Sequence, residues 1–298
     1  MTTSARLLQW YRRAGRVLPW RGTRDPYHLL VSEIMLQQTQ VPRVLLFYSR
    51  WLKAFHTWAR LAIASNAEVI HAWAGLGYNR RALILRDIAR SVVAHGVPQD
   101  EGGWRALKGF GPYTAAALTV FSLHKHAIPI DTNIRRVVSR LYLSTPFPDP
   151  AQDDALQEIM RTKLITSRRF YDIPQALFDL ATIYCKKTPN CASCPLRPSC
   201  KAASLFLQGR VHIPHAMIKK AAETRHKNKP FPDRIYRGRI LQHIRTHVRG
   251  VLPSTLGPVV DPHFVRDQDE DWILRMVERL THDQLITKKG TRLFLGEY

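Results

Sequence analysis

The four cysteines of the chain, Cys185, Cys191, Cys194 and Cys200, fall within sixteen positions as a Cys-x5-Cys-x2-Cys-x5-Cys run. This is the tightest constraint on what the chain can fold into, because four thiolates on a short irregular stretch must face a common centre. No apolar run approaches the roughly 18 residues a bilayer span requires. Trp10, Tyr11, Arg12 and Arg13 interrupt any signal-peptide core. An intracellular, cytoplasmic protein with no membrane association is expected, in which disulfides are disfavoured and a metal site is the better reading. Four sulfurs at this spacing can enclose one iron-sulfur cubane. Tetrahedral zinc is the alternative, although its sites more often show two close Cys-x2-Cys pairs and this run has one. Lys186, Lys187, Arg197 and Lys201 surround the run. They either meet phosphates or offset the charge of the centre.

From Ser4 to about Ala203 the apolar residues recur at three and four spacing, with breaks at residues 22–26, 75–77, 102–103, 109–112 and 147–150. This predicts many modest helices and no strands. Residues 205–232 hold Lys219, Lys220, Arg225, Lys227 and Lys229 among few large apolar residues and read as a basic linker. Beyond it, Ile235 to His247 and Asp271 to Leu280 read as helices, the second behind an acidic first turn of Asp267, Asp269 and Glu270. Leu285 to Leu295 reads as a hairpin turning at Lys289-Gly290. Helices followed by a basic hairpin describe a small winged-helix-like α+β domain over residues 233–298. The formal charge of +22 points to a polyanionic partner. It is spread over both parts, with 28 basic against 13 acidic residues up to Ala203 and 17 against 10 after it.

Three segments carry candidate chemistry. Gly109-Phe110-Gly111 leads into an apolar helix, where small residues let the backbone approach a phosphate and the first amides of the helix point at it; a plain turn is the commoner use of such a motif. Asp131, in Pro129-Ile130-Asp131-Thr132-Asn133, is positioned either to cap a helix or to face an electron-poor sugar. Glu33 lies four residues after Leu29 and three before Leu36, on the apolar stripe of its helix. A carboxyl there is partly desolvated, which favours its protonated form and suits a general acid; a glutamate reaching solvent from the stripe's edge is the plainer alternative.

Taken together and in this order, these features resemble the helix-hairpin-helix, endonuclease III-like DNA glycosylases. Leu18-Pro19-Trp20-Arg21, Ser32-Glu33-Ile34-Met35-Leu36-Gln37-Gln38-Thr39 and Gly75-Leu76-Gly77-Tyr78 resemble the adenine DNA glycosylase branch. The resemblance runs from about Leu8 to Ala203. It implies a mainly α, two-lobed glycosylase domain over residues 1–204, with a six-helix lobe over 25–126 and a lobe formed by 1–24 and 127–204 that carries a [4Fe-4S] cluster on the four cysteines. It implies excision of adenine mispaired with guanine or 8-oxoguanine from double-stranded DNA by a monomeric enzyme of base excision repair. Glu33 would be the acid and Asp131 the stabiliser of positive charge on the sugar, with Tyr113 and Asn133 orienting them. Leu36, Gln37, Gln38, Thr39 and Tyr78 would enter the duplex, and Gly109 and Gly111 would meet a phosphate. Arg16, Leu18, Trp20, Arg21 and Gln175 would line the pocket of the extruded base. Relatives that cut the strand use a lysine amine at position 113 to form a Schiff base, and tyrosine cannot. Base removal without efficient strand cleavage follows.

The chain departs from the family's pattern at four places. The first cysteine gap is one residue short, Asn79 replaces a frequent tyrosine, Thr132 replaces a frequent glycine, and no Nudix-like C-terminal domain is visible. Two other functions compete: thymine or uracil removal opposite guanine, which does not obviously need Glu33, and a non-catalytic DNA-binding protein with a structural metal.

Overall fold

The computed structural model describes residues 1–166, 169–214, 223–227 and 229–296. They form a mainly helical protein whose strands, among the described residues, are one C-terminal pair. The chain divides into two compact units, Met1–Leu29 with Pro98–Lys220, and Leu30–Val97 with Ala221–Tyr298.

The first unit contains α1 (Thr3–Ala14), the start of α2 (Pro26–Leu36), and the pair α7 (Glu101–Ala106) and α8 (Pro112–Phe121). It continues with α9 (Thr132–Tyr142), α10 (Asp153–Ile159), α11 (Asp172–Ile183) and α12 (Ala203–Leu207). Leu7 of α1, Ile134, Val137, Val138 and Leu141 of α9, and Ile173, Leu177 and Leu180 of α11 share one core. Their three-and-four spacing puts them on one face of each helix. Tyr184, Cys185, Cys194 and Cys200 pack against the edge of this core, so the cysteine loop is laid directly on α9 and α11.

The second unit starts with the rest of α2, followed by α3 (Val41–Ala54), α4 (Trp58–Ala62), α5 (Asn66–Ala72) and α6 (Arg80–His95). Trp51 and Trp73 meet edge to face at 5.1 Å, and both are fully buried. A capping box between Ser65 and Glu68 starts α5 and satisfies two otherwise unpaired amides. The C-terminal module of the same unit has α13 (Asp233–Thr246), α14 (Leu256–Val260), α15 (Arg266–His282), β1 (Ile286–Lys289) and β2 (Arg292–Leu295). The strands pair antiparallel with Lys289 opposite Arg292. The loop is therefore Gly290-Thr291, one residue later than the sequence reading, because Gly290 supplies the positive φ of +58° that a tight hairpin needs at its first loop position. A lone bridge joins Val251 to Leu293 of β2.

Of the residues read as a basic linker, Lys219 and Lys220 lie outside the described residues. Lys229 is buried inside the C-terminal module, with Nζ 2.7 Å from Asp261 and 2.5 Å from Asp269 and donating to the His263 carbonyl at 3.0 Å. Asp269 thus does more than complement a helix dipole; it also caps α15 by accepting from the Val265 amide. The module sits on α5 and α6 of its own unit. Asn66 Nδ2 donates to the Gln284 carbonyl, and a Cβ at Gly296 would lie 2.7 Å from that of Asn66.

Candidate functional site

In the first unit Asp131 is the N-cap of α9. One carboxylate oxygen accepts from the Asn133 and Ile134 amides at 2.9 and 2.7 Å, and the other accepts from Asn133 Nδ2 at 2.6 Å. Burial raises its pKa above the ordinary aspartate value, and these hydrogen bonds offset the shift only in part. A carboxylate so held is oriented yet poorly solvated, and it gains from a cation brought to it. Arg136 ties this cap to the cysteine loop, donating to Asn133 Oδ1 and to the Cys185 carbonyl. Tyr113, in the first turn of α8, is half-buried and meets Phe178 of α11 edge to face at 6.2 Å. Gly109 carries a φ of +93°, and a Cβ at Gly111 would meet no protein atom within 4 Å.

Leu18 and Trp20 are buried, whereas Arg16, Arg21 and Gln175 are partly exposed. Both guanidiniums are fixed by Asp179, which has no exposed side-chain surface. Arg16 Nε reaches Asp179 at 2.6 Å, and Arg21 reaches both of its oxygens at 2.7 and 2.8 Å. Burial alone would raise the Asp179 pKa, but the hydrogen bonds from Arg21 and Arg16 hold it below the usual range. Arg21 also reaches the Gln175 carbonyl at 3.5 Å. Asp179 was not found from sequence; a lone acid inside Ala176-Leu177-Phe178-Asp179-Leu180-Ala181 is the signal that could have marked it.

The four cysteines line one small hollow together with Arg140, Tyr184 and Phe206. Among the described residues no three His, Cys, Asp or Glu side chains form a group suited to holding a single metal ion. Arg140 is 1 % exposed and stacks on Phe206 at 4.6 Å. It places Nη1 3.5 Å from Cys185 Sγ and spends its other hydrogen bonds on the carbonyls of Pro146, Lys186 and Lys187. A buried permanent cation beside four thiols suits a group of net negative charge, which is the chemistry of a thiolate-ligated cluster.

The second unit holds the other predicted residues. Glu33 is half-buried on α2 between the fully buried Ser32 and Ile34. Leu36 and Thr39 are partly buried, and Gln37 and Gln38 project from the turn after α2. Tyr78 is 59 % exposed on the turn before α6. Gln38 and Tyr78 both adopt left-handed backbone, at φ of +54° and +50°. For non-glycine residues this costs about 1–2 kcal/mol each and concentrates at functional positions. Missed from sequence was Arg81, 7 % exposed, whose guanidinium lies between these two turns. Burial draws its pKa down to about 10, which leaves it charged at neutral pH.

Residues 31–161 match the HhH-GPD superfamily of base excision DNA repair proteins. The chain is 39% identical over 199 residues to the adenine DNA glycosylase of Mycobacterium tuberculosis, a match covering 64% of each chain. It is 34% identical over 259 residues to that of Mycolicibacterium smegmatis, covering 85% of this chain and 84% of the relative. Among solved structures, a thermostable thymine-DNA glycosylase is 28% identical with a TM-score of 0.62, covering 67% of this chain and 94% of that one. An endonuclease III trapped covalently on DNA, 20% identical with a TM-score of 0.58 over 70% of this chain, shares the fold. The match thus spans a little under two thirds of the M. tuberculosis relative's length and most of the M. smegmatis relative's. The chain belongs to the HhH-GPD superfamily of base excision DNA repair proteins, on its adenine DNA glycosylase branch.

Proposed function

We propose that the chain is a monofunctional DNA glycosylase that hydrolyses the N-glycosidic bond of adenine mispaired with guanine or 8-oxoguanine in duplex DNA. The observation that carries this reading is the Asp131 carboxylate, desolvated yet held by three N–H donors at the start of α9. Adenine leaves slowly unless a ring nitrogen is protonated while positive charge grows on the sugar. Glu33 delivers that proton, and Asp131 stabilises the charge, as paired carboxyls do in glycoside hydrolysis. Asn133 orients Asp131, and Tyr113, which has no amine, leaves the strand uncut. Gln37, Gln38 and Tyr78, with Leu36 and Thr39 behind them, enter the duplex from the turns that carry them. Gly109 and Gly111 admit a phosphate. Arg16, Leu18, Trp20, Arg21 and Gln175 receive the extruded base, the two arginines held in place by Asp179.

The four cysteines would hold a [4Fe-4S] cluster, whose net negative charge the buried guanidinium of Arg140 would offset. When bound, the cluster pins the loop that presents Lys186, Lys187, Arg197 and Lys201 to phosphates. The C-terminal module adds duplex contacts through exposed basic side chains such as Arg234, 58% exposed and paired with Glu223.

A second reading, removal of thymine or uracil opposite guanine, draws on the likeness to the thermostable thymine-DNA glycosylase. Labelled duplexes bearing A·G, A·8-oxoguanine, T·G and U·G separate the two. Adenine release from the first two is expected, with strand scission appearing only after alkali. Release confined to T·G and U·G would overturn the assignment. A colourless, zinc-loaded preparation with full activity would overturn the cluster; iron and acid-labile sulfide in equal amounts are expected.

A further inference from the structure

Six hydrogen bonds converge on Arg81. Nη1 donates to the carbonyls of Ile34 at 3.0 Å, Met35 at 3.1 Å, and Gln37. Nη2 donates to Thr39 Oγ1 at 3.1 Å and to the Gly77 carbonyl at 3.0 Å, and Nε to the Tyr78 carbonyl at 3.4 Å. The same guanidinium lies 5.2 Å from the centre of the Tyr78 ring and 5.4 Å from that of Trp73. One planar group thus satisfies carbonyls at the end of α2 and grips the two turns that carry the left-handed Gln38 and Tyr78. The fork is rigid, and its donors have fixed spacing. Moving either turn by about an ångström would therefore leave buried donors without acceptors.

We infer that Arg81 is a positioning residue that makes the Gln37–Thr39 turn and the Gly75–Tyr78 turn a single probing unit, so that Gln38 and Tyr78 engage DNA together rather than independently. This rests on the reading of the two turns as the part of the protein that enters the duplex. The aromatic ring gives the unit a stacking face and Gln38 gives it an amide, and neither turn can adapt to a base pair without carrying the other. Trp73, donating to the Gly77 carbonyl at 2.9 Å, and Arg43, donating to the Gly75 carbonyl, also hold the second turn.

The test is a double-mutant cycle on the ratio of affinities for an A·G-mismatched and a fully paired duplex of equal length. Gln38→Ala, Tyr78→Ala and the double substitution are compared with Arg81 present and in an Arg81→Lys background. Lysine keeps the charge but donates from one atom and cannot span both turns. With Arg81 present, the two substitutions should be non-additive by at least about fivefold, and in the Arg81→Lys background additive within about twofold. Additivity with Arg81 present, or equal coupling in both backgrounds, overturns the inference. If neither single substitution alters the ratio, the reading of the turns as the duplex probe falls and the coupling falls with it.

Amide exchange on the unaltered protein gives an answer even if Arg81→Lys does not fold. The Thr39 and Leu76 amides, bonded to the Leu36 and Trp73 carbonyls, should open with the same free energy. Protection factors differing by more than about tenfold would show two independent turns.

Discussion

Asp131 carries two roles that oppose each other, since its charge caps a helix but is poorly solvated. Its pKa in the folded chain lies above the unfolded value. Between those two values the native state therefore holds more protons than the unfolded state, and stability falls as pH rises through that window. At neutral pH the ionised carboxylate is a net cost. Asp131→Asn is therefore expected to raise the melting temperature at pH 7, with the gain fading toward pH 3, as calorimetry across that range would record. The same substitution, and Glu33→Gln, should lower single-turnover adenine excision by at least about a thousandfold while leaving affinity for mismatched DNA unchanged. Equal loss of binding would assign both residues to folding. The sequence marked Asp131 and Glu33 because capping and stripe position are local properties, and Asn133 through the family resemblance. It did not mark Asp179, whose partners Arg16 and Arg21 lie 163 and 158 residues away.

At the scale of elements, the C-terminal module shows how a stretch that is polar in sequence can become core in structure. Lys229 precedes α13 but neutralises Asp261 and Asp269, which flank and begin α15. Removing one partner of a buried ionic group leaves the others uncompensated, at about 3–5 kcal/mol. Lys229→Met should thus lower the stability of this unit by that order in chemical denaturation, and adding Asp261→Asn with Asp269→Asn should recover most of it. An unchanged denaturation midpoint for Lys229→Met would show the ion group to be dispensable. The two longer helices of this module and its hairpin were legible from periodicity and from Gly290, whereas α14 was not. The capture of Lys229 was not, because a lysine among Arg225, Lys227 and Lys229 reads as solvated charge until the fold supplies two carboxylates.

At the scale of the whole molecule, a charge of +22 makes affinity for DNA steeply dependent on salt. Each phosphate neutralised contributes a slope of about −0.9 in log affinity against log salt concentration. Arg234→Ala should reduce that slope by about one and weaken matched and mismatched duplexes alike, as a phosphate contact does. An unaltered slope would remove the C-terminal module's first helix from the duplex interface.

The sequence by itself determined the helical class, the cysteine run, the glycine turn, the capping aspartate and the hairpin. These depend on residues within a few positions of one another, where backbone geometry and spacing suffice. Only the tertiary structure decided which charges are buried and with whom. It put Asp179 under Arg16 and Arg21, Arg81 between two left-handed turns, Arg140 against the cysteines and Lys229 among carboxylates. A buried charge is tolerated only where packing brings its partner, and that partner can stand anywhere along the chain.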